Sequence, residues 1–277
     1  MKVPLKARLL LPAAAWMALF QLLPLALIVL VSVCMRGQYG GVQWRLAFGS
    51  YGRILDPLYV PVFSRSLAQA LLATALCVLL SFPISYWMAR LEKRAQGVAV
   101  LLVLIPFWTN ILVRLYAWMF ILGRTGLVNS AAAGLGLWRD PLEMLFSQKS
   151  VLLGLVYGHL PFMILPLYAA LEKIDWGLVD AARDLYASPA QAFLKVVLPL
   201  SKPGLIAGSI LVFTSIPCDF ATPDLLGGAK NMMVGNLIQQ QYLVVRDWPF
   251  GSALSLFLMA GIGVGVFAYL RQERAAA

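Results

Sequence analysis

Runs of apolar residues, each near the ~20 that a helix needs to cross the hydrocarbon of a bilayer, recur along this 277-residue chain and limit what it can fold into. Four carry no charge at all: Leu9 to Val33, Ser66 to Met88, Ser150 to Leu171 and Phe250 to Leu270. Two more are interrupted, Val98 to Leu122 by Arg114 and Pro203 to Phe220 by Asp219 close to its end. Lipid offers no partner to a backbone N–H or C=O, so segments of this kind pair their backbone internally as helices. The expected fold is therefore all-α, a polytopic membrane protein built as one transmembrane domain over 1–277. Its spans are placed at about 9–33, 66–88, 98–122, 150–171, 203–220 and 250–270. An even number of spans puts both termini on one side.

Composition agrees, with 61% hydrophobic and only 12% charged residues and a mean hydropathy of +0.81. Soluble domains carry charge on roughly a quarter of their residues, so an ordinary soluble enzyme is excluded. A signal peptide is a poor account of the first run, despite Lys2, Lys6 and Arg8 before it. The run exceeds the ~7–15 residues of a secretory apolar region, and no small-x-small cleavage site follows it.

The net charge of +10 would raise nucleic acid as a partner for a soluble chain; in a membrane protein, topology is the first use of positive charge. With the N-terminus inside, the inner segments 1–8, 90–97, 172–202 and 271–277 hold 12 Lys and Arg in 54 residues. The outer segments 34–66, 123–149 and 223–250 hold 9 in 88, with Arg36, Arg45, Arg53 and Arg65 running against the bias. Both termini are thus expected in the cytoplasm and no nucleic acid as partner. Cys34, Cys77 and Cys218 form no framework, two of them lying in spans, so neither a disulfide nor a metal site is expected.

The loop 172–202 stands out, because helix connections are usually a few residues long and this one has 31, with 8 of the chain's 34 charged groups. Asp175 reads as N-cap of a short helix in which Leu178, Ala181, Ala182 and Leu185 share one apolar face. Ser188, Pro189 and Gln191 read as N-cap, N1 and N3 of a second helix, a capping box. That helix presents Ala192, Phe193, Val196 and Val197, and Pro199 is expected to close it. The spacing leaves two uses open for these faces: packing on the chain's own spans, or docking a partner.

Here the residues become recognisable. Asp180-Ala181-Ala182, three residues, Tyr186, nine residues and Val196-x-Leu198-Pro199 resemble the EAA loop of ABC-importer permeases, E-A-A, three residues, G, nine residues, I-x-L-P. Two further stretches, Pro106 to Leu122 (PFWTNILVRLYAWMFIL) and Asp219 to Gly251 (DFATPDLLGGAKNMMVGNLI, then RDWPFG), resemble the spermidine/putrescine-type permeases, the first of their two membrane subunits. The resemblance runs over most of the chain from the second span onward. It implies an inner-membrane permease that pairs with a second permease subunit, two copies of an ATP-binding subunit and an extracytoplasmic substrate-binding protein. It also implies that ATP is bound by the separate subunit and that no cofactor sits on this chain. The loop would be the coupling element, carried by Asp180, Ala181, Ala182, Tyr186, Ala187, Phe193, Val196, Leu198 and Pro199. Asp180 would face a basic group on the ATPase. Tyr186 departs from the pattern's glycine, and a tyrosine at positive φ costs ~1 kcal/mol or more. The resemblance therefore raises two possibilities, a differently shaped turn or strain offset by packing of the ring.

An ionisable residue inside a span marks a functional site by default. Asp219 lies between Pro217 and Pro223, where an interrupted helix would free carbonyls to line a cavity. A carboxylate among carbonyls suits an ammonium group, and Trp108, Tyr116 and Trp118 could add cation–π attraction. Arg114 has three readings: pairing with Asp219, pairing with a partner subunit, or snorkelling to the interface. Both the carboxylate and the aromatics also have plainer readings, as groups at the water interface. His159, the single histidine, reads as a packing or hydrogen-bonding residue, with a proton relay as the alternative. Asp224, Lys230, Arg246 and Asp247 fall on the outer side, where the resemblance puts the binding protein; singly, each reads as well as solvated loop charge.

No phosphate loop of the form G-x-x-x-x-G-K-S/T, no H-E-x-x-H and no Ser/His/Asp set is present, so no enzymatic activity is expected. The rival class is an ion-coupled secondary carrier, supported by interrupted helices.

Overall fold

The computed structural model describes residues 5–136 and 140–276. In chain order the elements are α1 (Leu5–Ser32), β1 (Cys34–Arg36), β2 (Val42–Leu46), α2 (Gly49–Ile54), α3 (Val60–Ala89) and α4 (Lys93–Trp108). There follow α5 (Ile111–Leu122), α6 (Leu127–Gly134), α7 (Gln148–Leu171), α8 (Gly177–Asp184), α9 (Pro189–Ala192), α10 (Leu198–Ser215), α11 (Val234–Leu243) and α12 (Trp248–Ala276). Six helical stretches among the described residues are long and apolar enough to cross a membrane. The fold is that of a polytopic all-α membrane protein.

The chain divides into two compact units, Met1–Pro61 with Leu237–Ala277, and Val62–Asn236. In the first, α12 packs along α1, and the hairpin β1–β2 pairs antiparallel with Arg36 opposite Val42. The hairpin is tied down at its turn, where the Gly41 N–H donates to Arg246 O (2.8 Å) and Arg36 Nη2 to Val245 O (2.9 Å).

In the second unit α7 is the central helix. Half of its span is buried, against 6% for Ala15–Ser32 of the other unit. Its Val151, Leu155 and Met163 meet Ala70, Ala73 and Cys77 of α3 and Val212 of α10 in one cluster. A second cluster joins Leu167 and Leu171 to Met88, Ile174, Val179, Ala192 and Val197. The approach of α10 to α7 depends on small residues four apart, as helices in lipid commonly do. A β-carbon at Gly204 would stand 2.5 Å from the Pro166 carbonyl oxygen, and one at Gly208 2.7 Å from Met163 Sδ.

Two elements differ from the sequence expectation. The run 98–122 is not one helix, because α4 stops at Trp108 and α5 restarts at Ile111. The physical cause is local: Pro106 has no N–H to give, the Thr109 hydroxyl takes the Pro106 carbonyl (2.6 Å), and Asn110 Oδ1 accepts from the Leu112 N–H (2.8 Å) as a fresh N-cap. The third span-length stretch is accordingly Ile111–Gly134. Pro199, for its part, closes nothing. Residues Phe193–Val197 form a π turn in which the Leu198 N–H reaches Phe193 O, and helix continues through Pro199 and Pro203 to Ser215. The widened turn absorbs the missing donor of the proline. The second helix of the loop is therefore the near end of the fifth span, Pro189–Cys218.

Candidate functional site

Two places gather the residues singled out by sequence, the loop 172–202 and a cavity between α5, α7 and the end of α10. In the loop, Asp175 Oδ1 accepts from the Gly177 N–H (3.0 Å) at the start of α8. The α8 helix turns Val179 inward, while Leu178, Ala181 and Leu185 are exposed and Ala182 half-buried. The α8 end is a complete Schellman motif: the Tyr186 N–H donates to Arg183 O (2.9 Å) and the Ala187 N–H to Ala182 O (3.1 Å). Tyr186 takes the left-handed position at φ 63°. The turn thus has the shape that glycine would give it, at a cost on the order of 1 kcal/mol. The ring recovers none of that cost, being 97% exposed.

Ser188 and Gln191 form the expected capping box. From there the chain faces inward: Ala192 and Val197 are buried, with Phe193 and Val196 packed against the same cluster. The Phe193 ring lies 5.1 Å from Phe82 and 6.4 Å from Tyr86, and Tyr86 also meets Trp176 edge-on at 5.6 Å. Of the two apolar faces left open by spacing, then, the second packs on the chain's own helices, while of the first Ala182 lies against the same cluster and Leu178, Ala181 and Leu185 stay exposed. Leu198 is half-buried and Pro199 exposed. The Asp180 carboxylate is exposed and makes no hydrogen bond or ion pair among the described residues. Lys93 Nζ donates to Glu172 Oε1 (2.8 Å) at the foot of the loop. That hydrogen bond holds the Glu172 carboxyl below its ordinary range and the Lys93 ammonium above its own.

The cavity, about 590 Å³, is lined by Arg114, Tyr157, His159 and Asp219, with Phe107 and Phe162 as its aromatic wall. Asp219 follows a short 3-10 turn, Ile216–Cys218, and adopts an extended backbone. Its two oxygens are engaged by one residue: Oδ1 accepts from the Thr222 N–H (3.1 Å) and Oδ2 from the Thr222 hydroxyl (2.6 Å). The carboxylate therefore caps the next helical turn while facing the cavity with its remaining lone pairs. The Phe220 carbonyl, one of those expected to be free, accepts from Asn236 Nδ2 (2.6 Å). Gly235 permits this approach, since a β-carbon there would meet Asp219 O at 2.8 Å.

Arg114 and Asp219 are not paired. The Arg114 Nε is buried without a partner, and its guanidinium carbon sits 5.2 Å from the Phe107 ring centroid. His159 Nδ1 lies 2.8 Å from Leu155 O; a carbonyl only accepts, so Nδ1 is the donor of this hydrogen bond. Of the three aromatics expected here, Trp118 stands behind the wall, edge-on to Tyr157 at 5.5 Å, while Trp108 and Tyr116 are exposed elsewhere. Sequence reasoning missed Phe107, Tyr157 and Phe162. The signal was present in α7, where Gly154, Tyr157, Gly158 and Phe162 fall at i, i+3, i+4 and i+8 on one face.

The outer-side residues separate. Asp247 is 1% exposed and paired through Oδ2 with Arg53 Nη1 (2.8 Å), and its Oδ1 accepts from the Phe250 N–H (3.2 Å) at the start of α12. It is occupied inside its own unit and presents nothing to a partner. The Arg53 guanidinium also lies 4.1 Å from the Phe250 ring centroid. Burial would lower the Arg53 pKa, but the hydrogen bond and charge of Asp247 raise it. Arg246 holds φ 54° with its carbonyl taken by Gly41. Asp224 and Lys230 are exposed, and Lys230 borders a second cavity of about 740 Å³ with Arg124, Glu143 and Phe146.

Against known proteins, residues 81–275 match the family described as binding-protein-dependent transport system inner membrane component. The chain belongs to this family. It is therefore a transport permease of the inner membrane and not an enzyme. The spermidine/putrescine transport system permease protein PotB of Escherichia coli is 40% identical over 259 residues, 94% of each chain. PotB of Haemophilus influenzae is 39% identical over 260 residues, 94% of this chain and 91% of that one. A bacterial alginate ABC transporter, solved with an alginate pentasaccharide-bound periplasmic protein, has the same fold. There the TM-score is 0.80 at 15% identity, covering 98% of this chain and 94% of the other. Family members of this kind work in multi-subunit importers, which sets the ion-coupled carrier aside.

Proposed function

We propose that this chain forms half of the translocation pathway of an ATP-driven polyamine importer, for spermidine or putrescine, coupled to its ATPase through the loop 172–202. The observation that carries the cargo is the 40% identity to PotB along nearly the whole of both chains. The partners would be a second permease subunit, two copies of an ATP-binding subunit and an extracytoplasmic substrate-binding protein, with both termini in the cytoplasm and the chain's sides in lipid. Within the cavity, Asp219 is the group suited to an ammonium, and the faces of Phe107, Tyr157 and Phe162 suit the methylene chain and charge of a polyamine. The loop and the cavity are ends of one helical rod. Pro189–Cys218 runs without a break for 30 residues, about 45 Å at the helical rise, from beside α8 to Asp219. Motion imposed on α8 by nucleotide-driven closure would arrive at the cavity along it.

The test is uptake of labelled spermidine and putrescine by cells in which this importer is the sole polyamine route. ATP-dependent uptake should fall at least about fivefold in Asp219→Asn with the complex at normal level; undiminished uptake removes Asp219 from the path, and no polyamine uptake by the wild type overturns the cargo. A second reading keeps the importer and changes the solute. The unpartnered Arg114 Nε would favour a small molecule carrying an acceptor group as well as a cation, and competition of uptake by ω-amino acids would reveal it.

A further inference from the structure

We propose that the Tyr186 ring is an anchor by which this permease holds its ATP-binding subunit, inserting into an apolar socket there. The proposal rests on the reading of 172–202 as the coupling loop and adds to it a residue that the loop's usual pattern lacks. Within this chain the side chain is unfavourable twice. The turn puts a residue with a β-carbon in the left-handed region, φ 63°, and it leaves a large aromatic in solvent. No ring contact and no hydrogen bond of its hydroxyl exists among the described residues to offset either. Backbone strain persists where the surroundings over-determine it and commonly marks a functional position.

The surroundings do over-determine this one. The two Schellman hydrogen bonds fix Tyr186 and Ala187 from the α8 side, and the Ser188–Gln191 capping box fixes the chain from the α9 side. The backbone that carries the ring is thus fixed, which leaves only side-chain entropy to be lost when a partner buries it. It stands at the end of an exposed strip with Leu178 and Leu185, two turns apart on α8. Around the strip lie the exposed charges of Asp180, Arg183 and Asp184. An aromatic centre with a polar rim is the anatomy of a protein interface hot spot. Two carboxylates against one guanidinium make a lipid surface, itself anionic, the poorer occupant. They call instead for a socket with a basic group at its edge.

The experiment measures binding of the ATP-binding subunit to the detergent-purified permease pair carrying Tyr186→Phe, Tyr186→Ala, Tyr186→Gly or, separately, Asp180→Lys. Tyr186 is on the surface, so these variants are expected to assemble. Tyr186→Phe should bind within about threefold of wild type, since the hydroxyl is unbonded, and Tyr186→Ala should bind ~tenfold or more weakly, as for loss of a hot spot. Tyr186→Gly should weaken binding as much as Ala, although it relieves the backbone. Binding of the Gly variant at wild-type strength overturns the proposal, because the turn alone would then suffice. If Asp180→Lys weakens binding while Tyr186→Ala does not, the loop docks without the ring: this inference fails and the coupling reading stands. If neither substitution weakens binding, this inference fails, and the coupling reading is decided by the uptake and ATP hydrolysis of Asp180→Lys.

Discussion

A charged pair whose members differ in burial responds unequally to losing one or the other. Asp247 is almost wholly buried while the Arg53 side chain is about half exposed, at 48%. Removing the arginine leaves a carboxylate stranded in a poor solvent; removing the carboxylate leaves a guanidinium that can turn to water. Arg53→Ala is therefore expected to destabilise the protein by about 2–4 kcal/mol, and Asp247→Asn, which keeps the cap on Phe250 N–H, by ~1 kcal/mol. Thermal unfolding of the detergent-solubilised complex checks the order: equal shifts would mean that the pair is not holding a buried charge. At this scale the sequence was informative about which residues were unusual and poor on what they do. Asp219, Arg114 and Asp247 each stood out by charge, yet Asp219 caps Thr222, Arg114 stacks on Phe107 and Asp247 ties α2 to α12. Partner choice is a property of contacts far apart in the chain, which spacing does not encode.

Helices here are set by apolar run length and by proline, and only the first is read reliably from sequence. The long apolar runs were visible, as was the Ser188 capping box, because these are local. The third span-length stretch lies instead at Ile111–Gly134. The N-cap of α8 is Trp176 in place of Asp175, which accepts from the Gly177 N–H one residue into the helix. Pro199 was misread because whether a proline ends a helix depends on whether the turn before it can widen, and that widening is held by Phe193 and Val197 packing on Phe82 and the α7 cluster. The break at Thr109–Asn110 had a local signal, Pro106 with a capping asparagine four residues on, that hydropathy alone outweighed. Helix contacts give the prediction at this scale. A β-carbon at Gly204 would meet backbone, Pro166 O at 2.5 Å and Leu167 Cα at 3.0 Å, whereas at Gly261 of α12 it would meet nothing within 4 Å. Gly204→Ala should thus cost about 1–3 kcal/mol through overpacking of α10 on α7, and Gly261→Ala should cost nothing measurable. Comparable thermal shifts in the two variants would show that α7 and α10 do not rely on this close approach.

For the molecule as a whole, scarcity of charge is more informative than its sign. The excess of +10 is spread over segments flanking the spans, as topology requires, while the loop 172–202 concentrates charge and is neutral in sum. Its carboxylate at 180 is solvated and unpaired, although a lysine, Lys173, and an arginine, Arg183, are near in sequence. Both the loop and the cavity belong to the unit Val62–Asn236, joined by the rod Pro189–Cys218. A defect at the loop should therefore appear as lost transmission, with the cavity itself intact. Asp180→Lys is expected to lower ATP-driven uptake by at least about tenfold, the loss of ~1.4 kcal/mol or more in a charge-assisted contact. Basal ATP hydrolysis by the assembled importer should persist but no longer rise when the loaded binding protein is added. Paired assays of uptake and hydrolysis in proteoliposomes distinguish the outcomes. Uptake falling in step with hydrolysis would point to failed assembly, and unchanged uptake would remove Asp180 from the coupling contact.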